Sequence, residues 1–294
     1  MEAVASIVVA ESILALTPIV IKTTTLDPST TIWTRILSSS VFGYLLKGSA
    51  PDSGTFFTSP SMLLGYTNLL HIATSYESFR NLPAGHAMSI LYTYPMWNIV
   101  LASVFRNEQI SLRAYGCIAA ASVGSVLINL DPIISVSEKK SNTTWGGCMA
   151  LLMTLTESIM FTIIKSVGWT NPAHIVWITN SWASVWMFIV QFFGEIVDPY
   201  MTFSIDSKIS MDSSMWETIL VTMFHSVSLF SGYWLRNYAI TRLSTTTFSI
   251  LSYSGLLAAY LFGIVFVKEI PGWMSILGAA TILVSSVYLL INPT

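Results

Sequence analysis

"NLPAGHAMSILYTYPMWNIVLASVFRNE", residues 81–108, runs from Leu82 to Phe105 without a single Asp, Glu, Lys or Arg. About 20 mostly apolar residues suffice to carry a helix across about 30 Å of hydrocarbon, so this stretch predicts a membrane span. Its centre is not apolar, however. Pro95 stands among Tyr92, Tyr94, Trp97 and Asn98. A mid-helix proline removes a backbone hydrogen bond and frees the carbonyl four residues earlier, here that of Leu91. In lipid such a group needs a neighbour, water or a cavity. The cluster therefore predicts a helix that faces a wet or ligand-filled interior. The alternative is a packing kink among ordinary core aromatics.

The whole chain has the same character. Of 294 residues, 53% are hydrophobic and 10% charged, against about 25% charged in a soluble domain. Too few charges remain to cover a water-facing surface. Ten stretches are candidate spans: 3–21, 30–46, 61–76, 82–105, 114–130, 145–164, 172–194, 216–235, 243–267 and 270–291. The runs are too long and continuous for a β-barrel, whose strands alternate over about 10 residues. The expected fold class is all-α integral membrane, with a lipid bilayer as solvent. A net charge of −2 gives no reason to expect a nucleic-acid partner. Two cysteines, Cys117 and Cys148, form no framework. No short cleavable leader is apparent, and the first span reads as a retained anchor.

Working outward from the opening stretch, a second copy appears. "RLSTTTFSILSYSGLLAAYLFGIVFVKE", residues 242–269, repeats it at an offset of 161: Leu82 falls on Leu243, Tyr92 on Tyr253, Val104-Phe105 on Val265-Phe266 and Glu108 on Glu269. "DPSTTIW" at 27–33 is echoed by "NPAHIVW" at 171–177, and an intramembrane "ESI" recurs at 11–13 and 157–159. The expected organisation is a first five-helix unit over 1–133, a connecting loop over 134–144 and a second five-helix unit over 145–294. Five is odd, so the second unit enters the membrane from the opposite side. Inverted repeats of this kind place a solute site near midplane, at the repeat interface. Orientation is not legible. With the N-terminus inside, inner loops hold Lys47, Arg106, Arg113, Lys165, Arg236 and Arg242, against Lys22, Arg80, Lys139, Lys140, Lys208 and Lys268 outside. In that orientation the sequon Asn142-Thr143-Thr144 faces outward, close to the sixth span.

The stretch "YESFRNLPAGHAMSILYTYPMWNIVLASVFRNEQISLRAYGCIAAASVGSVLI" resembles the third to fifth helices of an EamA-type repeat of the drug/metabolite transporter superfamily. "RNYAITRLSTTTFSILSYSGLLAAYLFGIVFVKEIPGWMSILGAATILVSSVYLL" fits the same pattern, with Leu256 where the first unit has Pro95. The resemblance implies ten helices, two inverted repeats and a central solute pathway. It implies little about the solute, since the family carries amino acids, nucleotide-sugars, phosphorylated sugars, nucleobases and other metabolites.

Several residues are candidates for substrate or coupling-ion binding. Glu11 and Glu157 lie near the middle of their spans, where a charge costs about 2.5–3.5 kcal/mol to insert and usually faces a cavity or partner. They predict proton or cation coupling, or a counter-charge for an amine; the alternative is a protonated Glu holding helices together. Arg35 could bind an anionic substrate, pair with Glu11, or snorkel to the headgroups. Tyr92, Tyr94, Trp97 and Asn98 surround Pro95, and Tyr253 is the mate of Tyr92. Asn68 and His71 share a helical face, with Glu77 beyond. The other histidines, His86, His174 and His225, are isolated and read as interhelical hydrogen-bonders, as does His71 taken alone. Asn180, Trp177 and Trp234 are weaker candidates. Glu108 and Glu269 end their helices and read as gating or loop anchors. Gly116, Ala120 and Gly124 in the fifth span, with Ser275 and Ala279 in the tenth, suggest packing faces or a homodimer contact.

No metal-ligand spacing, cofactor motif or clustered nucleophile argues for an enzyme. The leading expectation is a secondary transporter moving a small polar metabolite, such as an amino acid or nucleobase, by alternating access. A nucleotide-sugar or sugar-phosphate antiporter of an endomembrane would need paired basic residues, for which only Arg35, Lys22 and Lys165 offer themselves. A receptor or assembly factor on the same scaffold is the alternative of another class.

Overall fold

A computed structural model describes residues 1–23, 28–48, 53–82, 84–130, 143–197, 214–267 and 272–291. Among these residues the chain is helical and has no strand. The helices are α1 (Glu2–Leu14), α2 (Thr17–Thr23), α3 (Pro28–Leu46), α4 (Ser53–Phe56), α5 (Ser59–Asn81), α6 (Ala84–Leu91), α7 (Tyr94–Arg106) and α8 (Leu112–Leu130). They continue as α9 (Thr143–Val167), α10 (Pro172–Val197), α11 (Ser214–Ile240), α12 (Thr245–Ser252), α13 (Ser254–Phe262), a π-helical turn Gly263–Val267, and α14 (Trp273–Ile291). Glu269, Lys268 and the sequon asparagine Asn142 lie outside the described residues.

Five described stretches are long and apolar enough to cross a bilayer: Glu2–Ile21, Ala87–Arg106, Thr144–Val167, Pro172–Phe193 and Thr245–Phe266. The chain is an integral, multi-pass membrane protein. α5 and α11 match a span in length but are more polar, and their polar residues turn inward. Asn68, His71, Thr74, Ser75 and Ser78 of α5 are all buried, as are Arg236 and Asn237 of α11. The outer surface shows the complementary pattern, with Val41, Leu45, Leu63, Val123, Phe188, Phe192, Leu283 and Val284 all exposed. So much exposed apolar surface is unusual on a soluble monomer and suits contact with lipid.

Local chemistry explains where helices begin and break. α3 and α10 each open on a proline, Pro28 and Pro172, whose missing N–H costs nothing in a first turn. α7 closes at Asn107, whose left-handed conformation (φ 51°) is one that asparagine tolerates better than most residues. The opening stretch of sequence is two helices, α6 and α7, parted at Tyr92-Thr93 with Pro95 in the first turn of α7. Two carbonyls beside the break accept hydroxyl donors from α9. The Thr154 hydroxyl donates to the Ile90 carbonyl at 3.0 Å, and that of Ser158 donates to the Tyr94 carbonyl at 3.1 Å. The partners thus fall on Ile90 and Tyr94, on either side of the expected Leu91. α12 and α13 part at Tyr253, although Leu256 replaces the proline.

α5 packs on α9 and α10, and α11 packs on α1 and α3. α6 and α7 lie against α9, while α12 and α13 lie against α1; α7 also meets α12. α3 packs on α10 and α8 on α14. Small residues permit the last two approaches. A Cβ on Gly43 would stand 2.7 Å from the Trp177 backbone nitrogen, and one on Gly124 would stand 2.6 Å from the Gly278 carbonyl oxygen. Gly124 is therefore used within the chain, whereas Gly116 faces open space.

Candidate functional site

α1 and α9 bring two carboxylates into the interior. Glu11 is 2% exposed and Glu157 5% exposed. Buried charges need partners, and α11 supplies one for both. Arg236 Nε lies 3.1 Å from Glu11 Oε1, and its Nη1 lies 2.6 Å from Glu157 Oε1. The guanidinium carbon also stands 5.0 Å from the centroid of the Tyr94 ring, a cation–π distance. The hydroxyls of Tyr92 and Tyr94 donate to Glu11 Oε2 and Oε1 at 3.1 and 3.2 Å. The polar cluster in the opening stretch thus surrounds a buried carboxylate carried by α1.

Arg236 corrects the sequence reading, which places it in a loop after the eighth span. α11 continues through it to Ile240, and the side chain is 6% exposed. The signal was present in the sequence: "YWLRNYAI" stays apolar or aromatic on both sides of the Arg-Asn pair. A hydropathy reading ends the span there because the compensating carboxylates lie far away along the chain.

On its other side Glu157 meets α5. His71 Nε2 lies 3.3 Å from Glu157 Oε2, while His71 Nδ1 lies 3.1 Å from the Met153 carbonyl oxygen. A carbonyl only accepts, so Nδ1 carries a hydrogen. A neutral imidazole then presents the Nε2 lone pair to a carboxylate oxygen, and two acceptors face each other. One proton between them, on either atom, resolves the conflict. His71 thus makes an interhelical hydrogen bond to α9 and lies against the Glu157 carboxylate.

Arg35 of α3 is 3% exposed, which overturns the snorkelling alternative. Pairing with Glu11 is overturned too, because Arg236 takes that place. Arg35 Nη2 instead donates to the Tyr233 hydroxyl at 3.0 Å, and its guanidinium carbon lies 5.5 Å from the centroid of that ring. Among the described residues no carboxylate oxygen lies within 4.0 Å of it.

Two small cavities flank this network. The first, about 40 Å³, is lined by Glu11, Arg35, His71, Tyr92, Tyr94, Glu157, Tyr233 and Arg236, with Leu14, Phe79, Met88, Leu91 and Met153 among its apolar walls. The second, about 30 Å³, is lined by Arg35, Asn68, Glu157, Asn180, Tyr233 and Arg236, with Leu64, Phe161 and Val176 among its apolar walls. Arg35, Glu157, Tyr233 and Arg236 line both, so they form the partition between them. Each cavity exceeds the ~10–15 Å³ that a water needs and falls far below the ~300 Å³ of a small ligand pocket.

The remaining candidates fall elsewhere. Asn68 donates to Asn180 Oδ1 at 3.3 Å and lines the second cavity with it. Asn98 is fully buried, and neither its Oδ1 nor its Nδ2 finds a partner among the described residues. Trp97 is half-buried, and neither it nor Asn98 lines either of these two cavities. Tyr253 is buried but also lines neither, so it does not repeat the contact of its mate Tyr92. Glu77 turns away from the chamber and accepts from the Trp145 indole at 3.1 Å. Glu108 pairs with Arg106, which also reaches the Thr245 hydroxyl at the start of α12. His174 contacts Thr55 at 3.1 Å, and His225 is buried in α11. Among the described residues no group of three or more His, Cys, Asp or Glu could hold a metal.

Residues 144–291 match the EamA-like transporter family. A solved crystal structure is similar to this chain over 99% of its length and 96% of the other's, with a TM-score of 0.69 at 12% sequence identity. At that identity the likeness concerns the fold alone.

Proposed function

The chain belongs to the EamA-like transporter family, and from that premise we propose that it is a proton-coupled secondary transporter of a small polar metabolite, built as ten spans in two inverted five-helix repeats. The contacts between helices support the repeat. Let α1, α3, α5, α6–α7 and α8 exchange with α9, α10, α11, α12–α13 and α14. The α5–α9 contact then becomes α11–α1, α5–α10 becomes α11–α3, and α6–α7 on α9 becomes α12–α13 on α1. α3–α10 and α8–α14 map onto themselves. The helix breaks at Tyr92 and Tyr253 keep the offset of 161. A two-fold arrangement of this kind gives two nearly equivalent states, one open to each side of the membrane.

The observation that carries the function is the Arg236 bridge. One guanidinium holds a carboxylate from each half, at the wall between two cavities. Opening either cavity to a metabolite requires that wall to part. The symmetry is broken chemically in an informative way. Glu11 meets Arg236 of the other half's third helix, and Glu157 meets His71 at the equivalent place. One pair has a fixed cation and the other a titratable base. The titratable and charged groups facing the same cavity as His71 and Glu157 are Glu11 from α1, Arg35 from α3, Tyr92 and Tyr94 at the α6–α7 break, and Tyr233 and Arg236 from α11. Of these the arginines keep their charge at every physiological pH. A proton taken up or released by the His71–Glu157 pair therefore changes how firmly Arg236 is shared, and so couples the partition to pH.

Proteoliposome flux tests this reading. Uptake or exchange is measured across a metabolite panel with and without an imposed pH gradient. Expected are gradient-driven flux for some member and loss of gradient dependence in His71→Gln, with exchange retained. Absence of flux or exchange across a broad panel, in protein shown to be inserted, overturns transport. Gradient dependence that survives both His71→Gln and Glu157→Gln overturns the coupling site. An assembly factor or receptor predicts instead that Glu11→Gln and Glu157→Gln are harmless once correctly inserted.

A further inference from the structure

Among the charged side chains of the chamber, Arg35 stands apart. Arg236, the other buried arginine, is matched by two carboxylates. Arg35 has one neutral hydroxyl and one aromatic ring, both from Tyr233. A guanidinium carries five N–H donors in a planar fork, and a buried charge with so few partners is costly. The side chain is 3% exposed, so headgroups and bulk water do not supply the balance. It lines both cavities, so a solute crossing the partition from either side meets it.

On the reading that the chain is a transporter, we propose that Arg35 is the receptor for a carboxylate on the transported solute, and that the solute is a small monocarboxylate with an apolar body. Three observations fix the class. The fork of Arg35 matches a planar carboxylate in two parallel hydrogen bonds. The walls around it are apolar: Leu14, Phe79, Met88 and Met153 on one side, and Leu64 and Phe161 on the other. The charge balance limits the anion. Arg35 and Arg236 face Glu11 and a His71–Glu157 pair that shares one proton, so the cluster carries one excess positive charge; a monoanion cancels it, whereas a dianion leaves one excess negative charge in the low-dielectric interior. A zwitterion leaves that charge in place, and its ammonium can take a share of Glu11 or Glu157 beside Arg236. A phosphate ester dianion is therefore refused. An amino acid and a simple carboxylic acid both satisfy the Arg35 chemistry, and they differ in whether the carboxylates are also engaged.

The test is equilibrium binding, which does not depend on flux. Purified protein in lipid nanodiscs is titrated, by tryptophan fluorescence and thermal stability, with two matched sets. One set is 3-phenylpropionate, L-phenylalanine, phenethylamine, 3-phenylpropionamide and phenyl phosphate. The other is 4-methylpentanoate, L-leucine, isopentylamine and 4-methylpentanamide. Expected is saturable binding of an acid, an amino acid or both, with the amides, the amines and phenyl phosphate at least tenfold weaker. Arg35→Gln should weaken the bound acid by about tenfold or more, in line with a charge-assisted hydrogen bond, and Arg35→Lys should recover part of it. Binding of the amino acid that is also lost in Glu11→Gln or Glu157→Gln identifies the zwitterion; insensitivity to both identifies the simple acid. The proposal is overturned if no acid or amino acid in either set binds, if amide and acid bind equally, or if Arg35→Gln leaves acid affinity unchanged. Should Arg35→Gln fail to insert, the acid-to-amide ratio on the native chain and the Arg35→Lys affinity decide. Arg35-dependent binding without flux would sink transport and leave this site standing. Flux of solutes without an anionic group, unchanged in Arg35→Lys, would do the reverse.

Discussion

Arg236→Met removes the one cation that two buried carboxylates share. Glu11 and Glu157 are 2% and 5% exposed, so neither can turn to bulk water without a helix moving. Breaking a buried ion pair by deleting one partner costs about 3–5 kcal/mol in soluble proteins, because an uncompensated charge is left inside. In a bilayer the unfolded chain also finds partners, and single interhelical polar contacts average about 0.6 kcal/mol. Arg236 makes two ion contacts and stands over the Tyr94 ring, so the expected loss is about 3 kcal/mol, at the lower edge of the soluble range. Chemical denaturation in mixed micelles measures it. The triple variant Arg236→Met, Glu11→Gln, Glu157→Gln supplies the control. Replacing a whole buried ion network by neutral groups of similar volume is often neutral or stabilising, so the triple variant should recover most of what the single one loses. A single variant that loses less than about 0.6 kcal/mol, or a triple variant no more stable than the single, would refute the view that unpaired charge is the cause.

Three further outcomes follow from the packing. A Cβ on Gly255 would overlap the Tyr92 hydroxyl and stand 2.9 Å from the Glu11 Cβ; Gly255→Ala should therefore depress flux, and Tyr92→Phe, which removes the obstructing hydroxyl, should restore part of it in the double variant. Pro95→Ala should leave the unfolding free energy unchanged within about 1 kcal/mol, because α12 and α13 part at Tyr253 with Leu256 in the proline's place; a large loss would show that the proline alone makes the break. Gly124→Val drives a side chain against the Gly278 carbonyl and Ile282 and should cost about 1–3 kcal/mol, whereas Gly116→Val, with open space around it, should be silent in the same unfolding assay.

Much of the fold could be read from the sequence, because the bilayer makes helix length and charge depletion decisive. The stretches around 3–21, 82–105, 145–164, 172–194 and 243–267 announce themselves by composition, and each corresponds to described helix. α5 and α11 were harder to delimit. The expected stretches, 61–76 and 216–235, stop short of Asn81 and Ile240, because both helices carry polar residues that look like span ends until their partners are known. His71 is compensated from α9, and Arg236 from α1 and α9. No local window contains those carboxylates.

The site was legible to the same extent and for the same reason. Glu11 and Glu157 stood out because an isolated carboxylate in an apolar run has no cheap explanation. The tyrosines stood out because a proline lay beside them. What could not be read was which cation served which acid. Two arginines were available, at 35 and 236, and sequence position favoured the wrong one: Arg35 lies well inside a span, whereas Arg236 stands next to a predicted helix end. The packing reverses the assignment. α11 lies against α1, which brings Arg236 to Glu11, while α3 turns Arg35 toward Tyr233, one turn earlier on the same face of α11. The exchange carries the functional consequence, because it uses both acids on a single arginine and leaves the other with only a tyrosine. Had Arg35 paired with Glu11, as sequence position suggested, and Arg236 with Glu157, the chamber would hold two closed ion pairs and no group with unspent charge. The asymmetry that gives this interior something to offer a carboxylate arises from tertiary packing alone.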